Sequence, residues 1–185
     1  KMESFFYLFN KFFLYLNTIL HKYRFKKFGK NSYISYGVKM VNPKNIVVGD
    51  NVFIGKDVFL NTNSKKKETS LFIGNNVHIA RGAHINAYYS VYIEDYNIIG
   101  ENVFLGDADH EYSGKDIPIY NQGIKIIEKE VRISQGCHIG MNACIAPGIS
   151  IGKNNVVAPN SYVTKNTKNN LILLGNPARE FPHNI

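Results

Sequence analysis

A polar segment from Asp107 to Lys125 carries a single histidine, His110, flanked by the carboxylates Asp109 and Glu111. A histidine ring titrates near neutrality and can take the proton of a hydroxyl as that oxygen attacks an acyl group. A carboxylate beside it can orient the ring, and Asp107, Asp109 and Glu111 are all candidates for that role. The pattern therefore indicates His110 as a candidate general base.

The sequence on both sides of this segment repeats with a period of six residues. An aliphatic residue opens each hexad and a small or polar residue usually follows it. The C-terminal hexads open at Ile127, Ile133, Ile139, Ile145, Ile151 and Val157, and earlier sets open at Val48, Ile54, Leu60, Ile73, Ile79, Ile85, Ile93, Ile99 and Leu105. This period is typical of a solenoid in which three hexads make one triangular coil of roughly 18 residues.

The interruptions divide the chain. Long loops on a regular scaffold are commonly functional, which favours residues 107–125 as a functional excursion. A second interruption, residues 63–70, is rich in lysine and is expected to be a solvated basic corner. We predict an all-β parallel β-helix over residues 31–174, preceded by an N-terminal α-helix over residues 2–30 and followed by a short tail over residues 175–185.

The N-terminal segment is aromatic and apolar from Phe5 to Leu20, and it ends in the basic stretch from His21 to Phe28. Asn10, Lys11 and Asn17 interrupt the apolar run, which is short for a spanning helix. Two alternatives remain open. The helix either packs on the side or open end of the solenoid, with Phe5, Phe9, Phe12 and Leu16 against it, or residues 2–28 lie on an anionic membrane as a peripheral contact.

Charge and cysteine content limit the partners. The net charge of +8 and the pI near 9.4 suit anionic partners, but no nucleic-acid-binding motif accompanies them, so nucleic acid is not favoured. Cys137 and Cys144 occupy different phases of consecutive hexads, and Cys137 falls at a small inward position. We expect a core cysteine rather than a ligand there, no disulfide framework and a cytoplasmic protein, peripheral on the membrane if the helix binds lipid.

Several motifs together resemble the hexapeptide-repeat acyltransferases. They are the hexads, the loop Asp109-His110-Glu111-Tyr112, the pairs Pro118-Ile119 and Gln122-Gly123, and the closing segments Val163-Thr164-Lys165 and Gly175-Asn176-Pro177-Ala178-Arg179. Within that superfamily the chain most resembles the galactoside and maltose acetyltransferases and their relatives that O-acetylate capsule or lipopolysaccharide sugars. The resemblance covers about residues 31 to 181. It implies a left-handed β-helix, acetyl-CoA as the donor and a sugar hydroxyl as the acceptor. We also expect a homotrimer with active sites between subunits, because His110 lies on an excursion from a thin prism that has too little concavity to enclose both substrates alone.

The same resemblance implies roles for individual residues. His110 becomes the general base, and the expected acceptor-binding residues are Asn86, Asp107 and Asp109. The expected donor-binding residues are Gly140, Ala146 and Ala158 beside the pantetheine arm, and Thr164, Lys165 and Arg179 at the phosphates. Simpler accounts stay open: Asn86 could be a corner asparagine, the small residues repeat geometry, and the basic residues an ordinary tail.

Other functions use the same features. His78, His84 and His138 share one hexad position, as in the zinc-binding gamma-class carbonic anhydrases, but Lys115 stands where that family has a second loop histidine. We therefore expect structural corner histidines and no metal. The remaining alternatives are an N-acetyltransferase on a nucleotide-linked amino sugar, a xenobiotic acetyltransferase and a non-catalytic hexapeptide-repeat scaffold.

Overall fold

The chain folds as a prism with short parallel strands on its three faces. The computed structural model describes the backbone of residues 2–63 and 69–183, and the side chains of these ranges from Lys11 onward. The expected basic corner falls largely on residues 64–68, outside the described residues. Within the described residues, six coils of three strands each follow the helix α1 (Met2–Lys22).

The strands follow the hexads in chain order. The first to third coils consist of β1 (Lys27–Phe28), β2 (Tyr33–Ile34), β3 (Lys39–Val41), β4 (Ile46–Val48), β5 (Phe53–Ile54), β6 (Phe59–Asn61), β7 (Leu71–Ile73), β8 (His78–Ile79) and β9 (His84–Asn86). The fourth coil and its excursion consist of β10 (Val91–Ile93), β11 (Ile98–Ile99), β12 (Phe104–Gly106), β13 (Ala108–His110), α2 (Ile119–Gln122) and β14 (Ile124–Ile126). The chain continues with β15 (Val131–Ile133), β16 (His138–Ile139), β17 (Cys144–Ile145), β18 (Ser150–Ile151), β19 (Val156–Val157), β20 (Tyr162–Val163), β21 (Leu171–Gly175) and β22 (Ala178–Pro182).

Equivalent strands of successive coils pair in parallel. Sheet 1 has the order β1-β4-β7-β10-β15-β18, sheet 2 the order β2-β5-β8-β11-β16-β19-β21-β22, and sheet 3 the order β3-β6-β9-β12-β17-β20. The fold is the left-handed parallel β-helix that the resemblance implies. Coils rise by the spacing of hydrogen-bonded strands, about 4.8 Å.

The core is a stack of the residues that open the hexads. From Val48 to Val157 their exposed fraction is 0%, with Ile127 as the exception. Each such side chain contributes about 1.5–3 kcal/mol through burial. Ile127 is instead the point of return from the excursion, and its N–H donates to the carbonyl oxygen of Asp107 at 2.8 Å. The hexad assigned from Ile127 therefore joins the prism only at its end, where Val131 and Arg132 belong to β15.

Asparagines occupy one row of corners in the left-handed backbone region. Asn102, Asn142 and Asn160 have φ of 53°, 56° and 58°. Their side chains form a ladder, because the Asn102 amide donates to Asn142 at 3.3 Å and the Asn142 amide donates to Asn160 at 3.2 Å. Asparagine tolerates the left-handed backbone conformation, and its side-chain amide also hydrogen-bonds the asparagine of the next coil.

The ends of the prism differ from the predicted boundaries. The helix ends at Lys22 rather than near residue 30, because Lys27–Phe28 already pairs with β4 and the Phe25 and Phe28 ring centroids lie 5.2 Å apart. The C-terminal tail is mostly a strand, since β22 pairs antiparallel with β21. Within the described part of the chain, no helix combines the length and hydropathy that a transmembrane span requires.

Candidate active site

The excursion leaves sheet 3 after Gly106 and forms a hairpin that carries His110. Strands β13 and β14 pair antiparallel, with His110 opposite Ile124. The Gln122 side chain braces the far end of the loop. Its oxygen accepts the N–H of Gly114 at 2.8 Å, and its amide donates to the carbonyl oxygens of Gly114 at 2.9 Å and Ile117 at 2.6 Å. A polar sequence thus gives a loop of defined shape.

Asp107 anchors the hairpin at its base and is fully buried. Its carboxylate accepts the backbone N–H groups of Tyr88 at 2.7 Å, Tyr89 at 2.8 Å and Ser90 at 2.5 Å. Burial raises the pKa of the Asp107 carboxyl above its ordinary value, although these three N–H groups oppose the shift. The expected role of Asp107 in acceptor binding does not fit this position, because both oxygens are occupied by the turn between β9 and β10.

His110 is exposed, and within the described residues its ring makes no hydrogen bond or ion pair. The nearby acids are engaged elsewhere. Asp109 accepts the backbone N–H of His110 at 2.7 Å. Glu111 accepts the N–H of Ser113 at 2.9 Å and lies 3.6 Å from the Lys125 ammonium, and its pKa is lowered first by the Ser113 hydrogen bonds. Of the three candidate acids, none orients the ring within one described chain.

Asn86 lies in the coil below the excursion, in register with Gly106. Its side-chain oxygen is buried and has no hydrogen-bond partner among the described residues. A buried carbonyl oxygen without a donor is costly, and a ligand group that donates to it would relieve that cost. Asn86 therefore lies beside the excursion, and its side-chain oxygen is covered and unpaired in the single chain.

His84 is a neighbour that the hexad pattern assigns to a corner, whereas it lies in β9 two residues before Asn86. Its ring centroid is 4.6 Å from that of Phe59 and 5.7 Å from that of Phe104. Burial lowers the pKa of His84, partly offset by the Asn86 side chain. Because strand residues i and i+2 share a face, the His84-x-Asn86 spacing is a signal in the sequence that could have found it.

His78 and His138 also lie in strands rather than at corners, and both are on sheet 2. They are therefore on a different face of the prism from His84. Among the described residues, no group of histidine, cysteine or acidic side chains could hold a metal ion.

One edge of the prism, the corner that follows sheet 3, collects most of the candidate residues. In successive coils this edge carries Asn86, the excursion after Gly106, Ala146 and Thr164. Three coil spacings, about 14 Å, separate its two ends. Gly140 and Ala158 are not on this edge but follow sheet 2.

The small residues Gly140, Ala146 and Ala158 allow successive coils to pack and to hydrogen-bond to each other. A Cβ on Gly140 would come within 2.7 Å of the Pro159 nitrogen, so this glycine permits the next coil to pack. The N–H groups of Gly140, Ala146 and Ala158 donate to carbonyl oxygens of the following coil at 2.8, 2.9 and 2.8 Å. These amides are therefore not available to hydrogen-bond a pantetheine arm, so any role beside it would depend on the small size of these residues.

Lys165 and Arg179 come together, although they are 14 positions apart in the sequence. They line one cavity of about 420 Å³, together with Thr167, Leu173 and Glu180. The β21–β22 hairpin produces this arrangement by folding Arg179 back beside Leu174. Thr164 is exposed beside the cavity and does not line it. Two cations in one concave site suit an anionic group such as a phosphate.

The outer face of sheet 3 lies next to the excursion. Cys144 and Tyr162 are in register on it. Burial raises the pKa of both, and the negative charge of Asp109 adds to each shift. By contrast Cys137 is buried in the core, where burial raises its pKa to about 11. The expectation of a structural Cys137 agrees with that environment.

Known proteins share the repeat of this chain. Residues 130–165 match the family described as bacterial transferase hexapeptide (six repeats). No curated protein sequence matches the chain significantly.

Solved structures match most of the chain. One is AntD, an N-acyltransferase from Bacillus cereus. In complex with dTDP and 3-hydroxybutyryl-CoA it is 25% identical, with 92% of this chain and 89% of AntD covered and a TM-score of 0.64. A mutant of AntD, in complex with dTDP-4-amino-4,6-dideoxyglucose and coenzyme A, is 27% identical, with 90% and 88% covered and a TM-score of 0.62.

A hexapeptide-repeat-containing acetyltransferase from Vibrio cholerae, complexed with acetyl-CoA, is 22% identical, with 88% of this chain and 73% of that chain covered and a TM-score of 0.55. At that identity the likeness concerns the fold. Repeat, sheet order and solved structures agree, and the chain has the hexapeptide-repeat fold of these acyltransferases.

Proposed function

We propose that the protein is an acetyl-CoA-dependent O-acetyltransferase that acts on a sugar hydroxyl in the synthesis of a surface polysaccharide. The observation that carries the proposal is the shared edge of the prism. It has the His110 hairpin one coil above Asn86 and two coils below Thr164, beside which Lys165 and Arg179 line a cavity. A base, an unpaired hydrogen-bond acceptor and a cavity with two cations thus lie along one edge.

The cationic cavity fits the donor. Lys165 and Arg179 would bind its phosphates, and the edge that passes Ala146 would carry the extended arm toward the excursion. When bound, acetyl-CoA supplies the acetyl group as an activated thioester. The acetyl-CoA complex of a similar structure supports this assignment.

The acceptor would lie between Asn86 and His110. The Asn86 side chain would hold the sugar, and a rotation that uncovers its buried oxygen would let that oxygen accept a hydrogen bond from a sugar hydroxyl. His110 would remove the proton of the attacking hydroxyl and return a proton to the departing thiolate of CoA. Proton transfer of this kind contributes about 10²–10⁴-fold to turnover.

A trimer would complete the site. The excursion exposes apolar side chains at Tyr112, Ile117, Ile119, Ile124 and above all Tyr120, which is 95% exposed. The His110 ring also finds no orienting group within one described chain. A second copy packed against the excursion would cover these side chains and supply that group. Sedimentation equilibrium tests the assembly, and a fully active monomer would contradict it.

A second candidate is N-acylation of an amino sugar linked to a nucleotide. The similarity to AntD, which was solved with dTDP-4-amino-4,6-dideoxyglucose, favours it. The chemistry differs at one point, because a neutral amine attacks without first losing a proton. An amine acceptor would therefore depend less on His110 than a hydroxyl would. A cytoplasmic location, where nucleotide sugars and acetyl-CoA are made, belongs to both candidates.

The test is release of CoA thiol from acetyl-CoA over a panel of sugars, sugar nucleotides and amino sugars. Mild hydroxylamine cleaves an ester product and leaves an amide intact, so the product itself separates the two candidates. We expect thiol release with a hydroxyl acceptor and a hydroxylamine-labile product. A stable product would establish the second candidate. Binding of CoA without transfer to any acceptor would support the non-catalytic scaffold instead.

A further inference from the structure

The N-terminal helix is attached to the solenoid by its polar residues. The Asn17 amide donates to the carbonyl oxygens of Ile34 and Ser35, both at 2.9 Å. The Thr18 hydroxyl accepts the N–H of Ile34 at 2.9 Å, and Thr18 is buried. These contacts satisfy the backbone of β2, the edge strand of sheet 2. The cap is therefore polar, and it does not use the apolar face of the helix.

Much of that apolar face is exposed. Phe12 is 60% exposed and Leu20 is 66% exposed, and the exposed side chains between them are Phe13, Tyr15, Leu16 and Ile19. Of the four residues of the packing alternative, Phe12 does not pack on the solenoid and Leu16 is 39% exposed, while the side chains of Phe5 and Phe9 lie outside the described residues. Beside the helix an apolar groove of about 620 Å³ continues the surface onto Tyr36 and Phe53.

Such a continuous apolar surface is unusual on a protein in water and marks an interaction site. Its surroundings are mainly basic, with Glu3 at the start of the helix and Asp50 and Asp57 in the second coil as the nearby acidic residues of the sequence. Residues 4–49 contain eight lysine or arginine residues and no aspartate or glutamate. Several of the cations are adjacent to the apolar face, among them Lys11 and Arg24, which are exposed, and Lys22, whose ammonium lies 4.9 Å from the centre of the Tyr23 ring.

We propose that this helix docks the protein on an anionic bilayer, with its aromatic and aliphatic face in the interfacial region and its basic residues against the lipid headgroups. A basic helix with a separate apolar face binds lipid through burial of its apolar side chains and through attraction of its basic residues to anionic headgroups. The absence of acidic residues from 4–49 favours an anionic bilayer over a second copy of this chain, because two such surfaces would repel each other.

Co-sedimentation of the full-length protein with vesicles tests the contribution of the apolar helix face to membrane binding. Phosphatidylcholine vesicles with and without phosphatidylglycerol are compared at low and high salt. The Phe12→Gln and Leu20→Gln substitutions keep a good helix former, and each should lower the partition coefficient about tenfold. The matched control is Tyr96→Asn, which removes an exposed aromatic side chain from the prism. Tyr96 has a φ of 60°, and asparagine tolerates this left-handed backbone conformation.

Two double variants test the contribution of the basic residues to vesicle binding. Lys22→Gln with Arg24→Gln should weaken binding to anionic vesicles about tenfold or more, whereas Lys153→Gln with Lys168→Gln, at the far end of the prism, should change it by less than about twofold. Wild-type protein that stays in the supernatant at low salt would overturn the proposal, as would equal loss in helix and control variants. If the helix substitutions instead lower the mass found by sedimentation equilibrium without vesicles, the face is an interface between copies of the chain and the proposal fails.

Discussion

The Asp107 carboxylate, buried under three backbone N–H groups, holds the base of the His110 hairpin. Asp107→Asn would place an amide NH₂ against some of these donors and leave N–H groups unpaired. We expect a loss of about 2–3 kcal/mol in the free energy of unfolding, measured by urea denaturation. The exposed Asp109→Asn serves as control and should cost less than about 0.5 kcal/mol. Equal losses of unfolding free energy in the two variants would contradict the anchoring role of Asp107.

Cys137 offers a test of the core through its titration. Its pKa is raised to about 11 by burial, so at pH 8 roughly one molecule in a thousand carries the reactive thiolate. In a Cys144→Ser variant, labelling of Cys137 by a thiol reagent should be slow in the native protein and accelerate about tenfold for each pH unit from about 8 to 10. Labelling as fast as in urea would contradict the burial of this thiol.

At the scale of elements, the asparagine ladder tests how corners are stabilised. Asn142→Ala removes two ladder hydrogen bonds and puts alanine at φ 56°, so we expect a loss of about 2–3 kcal/mol in unfolding free energy. Asn142→Gly keeps the backbone conformation accessible and should lose about 1 kcal/mol less. Thermal or urea unfolding of both variants decides, and a glycine variant no more stable than the alanine variant would contradict the role of the left-handed backbone.

The β21–β22 hairpin is expected to bind the donor through Lys165 and Arg179. Replacing either by alanine should raise KM for acetyl-CoA about tenfold, or about 1–2 kcal/mol, with a smaller effect on kcat, because phosphates do not react. Lys153→Ala makes the same change in net charge outside the cavity and should leave KM unchanged. A loss of kcat without a change in KM would contradict donor binding at the hairpin.

The period of six predicts the coils well, because the aliphatic side chain that opens a hexad is buried in the narrow interior of the prism. It could not predict contacts between distant segments. Asp107 has the sequence context of a loop residue, and its partners Tyr88, Tyr89 and Ser90 are one coil earlier. The amide of Ala146 is likewise committed to Val163 of the next coil.

Helix amphipathicity has the same limit. Apolar spacing predicts a helix, but the choice of packed face depends on the unpaired backbone of Ile34, which Asn17 and Thr18 satisfy. The hexad position of His84 indicates a corner, so its place in β9 beside Asn86 could not be predicted from the repeat alone. For the prism as a whole, sequence periodicity therefore specifies the coil, while the edge on which the candidate residues meet follows from how the coils stack.

On the scale of the whole molecule, the central claim is that the excursion brings a general base to this edge. The most direct measurement compares kcat of His110→Ala with wild type, alongside CoA affinity by calorimetry and mass by sedimentation equilibrium. Lys115→Ala, an exposed change in the same excursion, is the control. We predict that His110→Ala lowers kcat about 10²-fold or more while CoA affinity and mass are unchanged, and that Lys115→Ala has little effect. A His110→Ala protein with near wild-type kcat for its best hydroxyl acceptor would contradict the account.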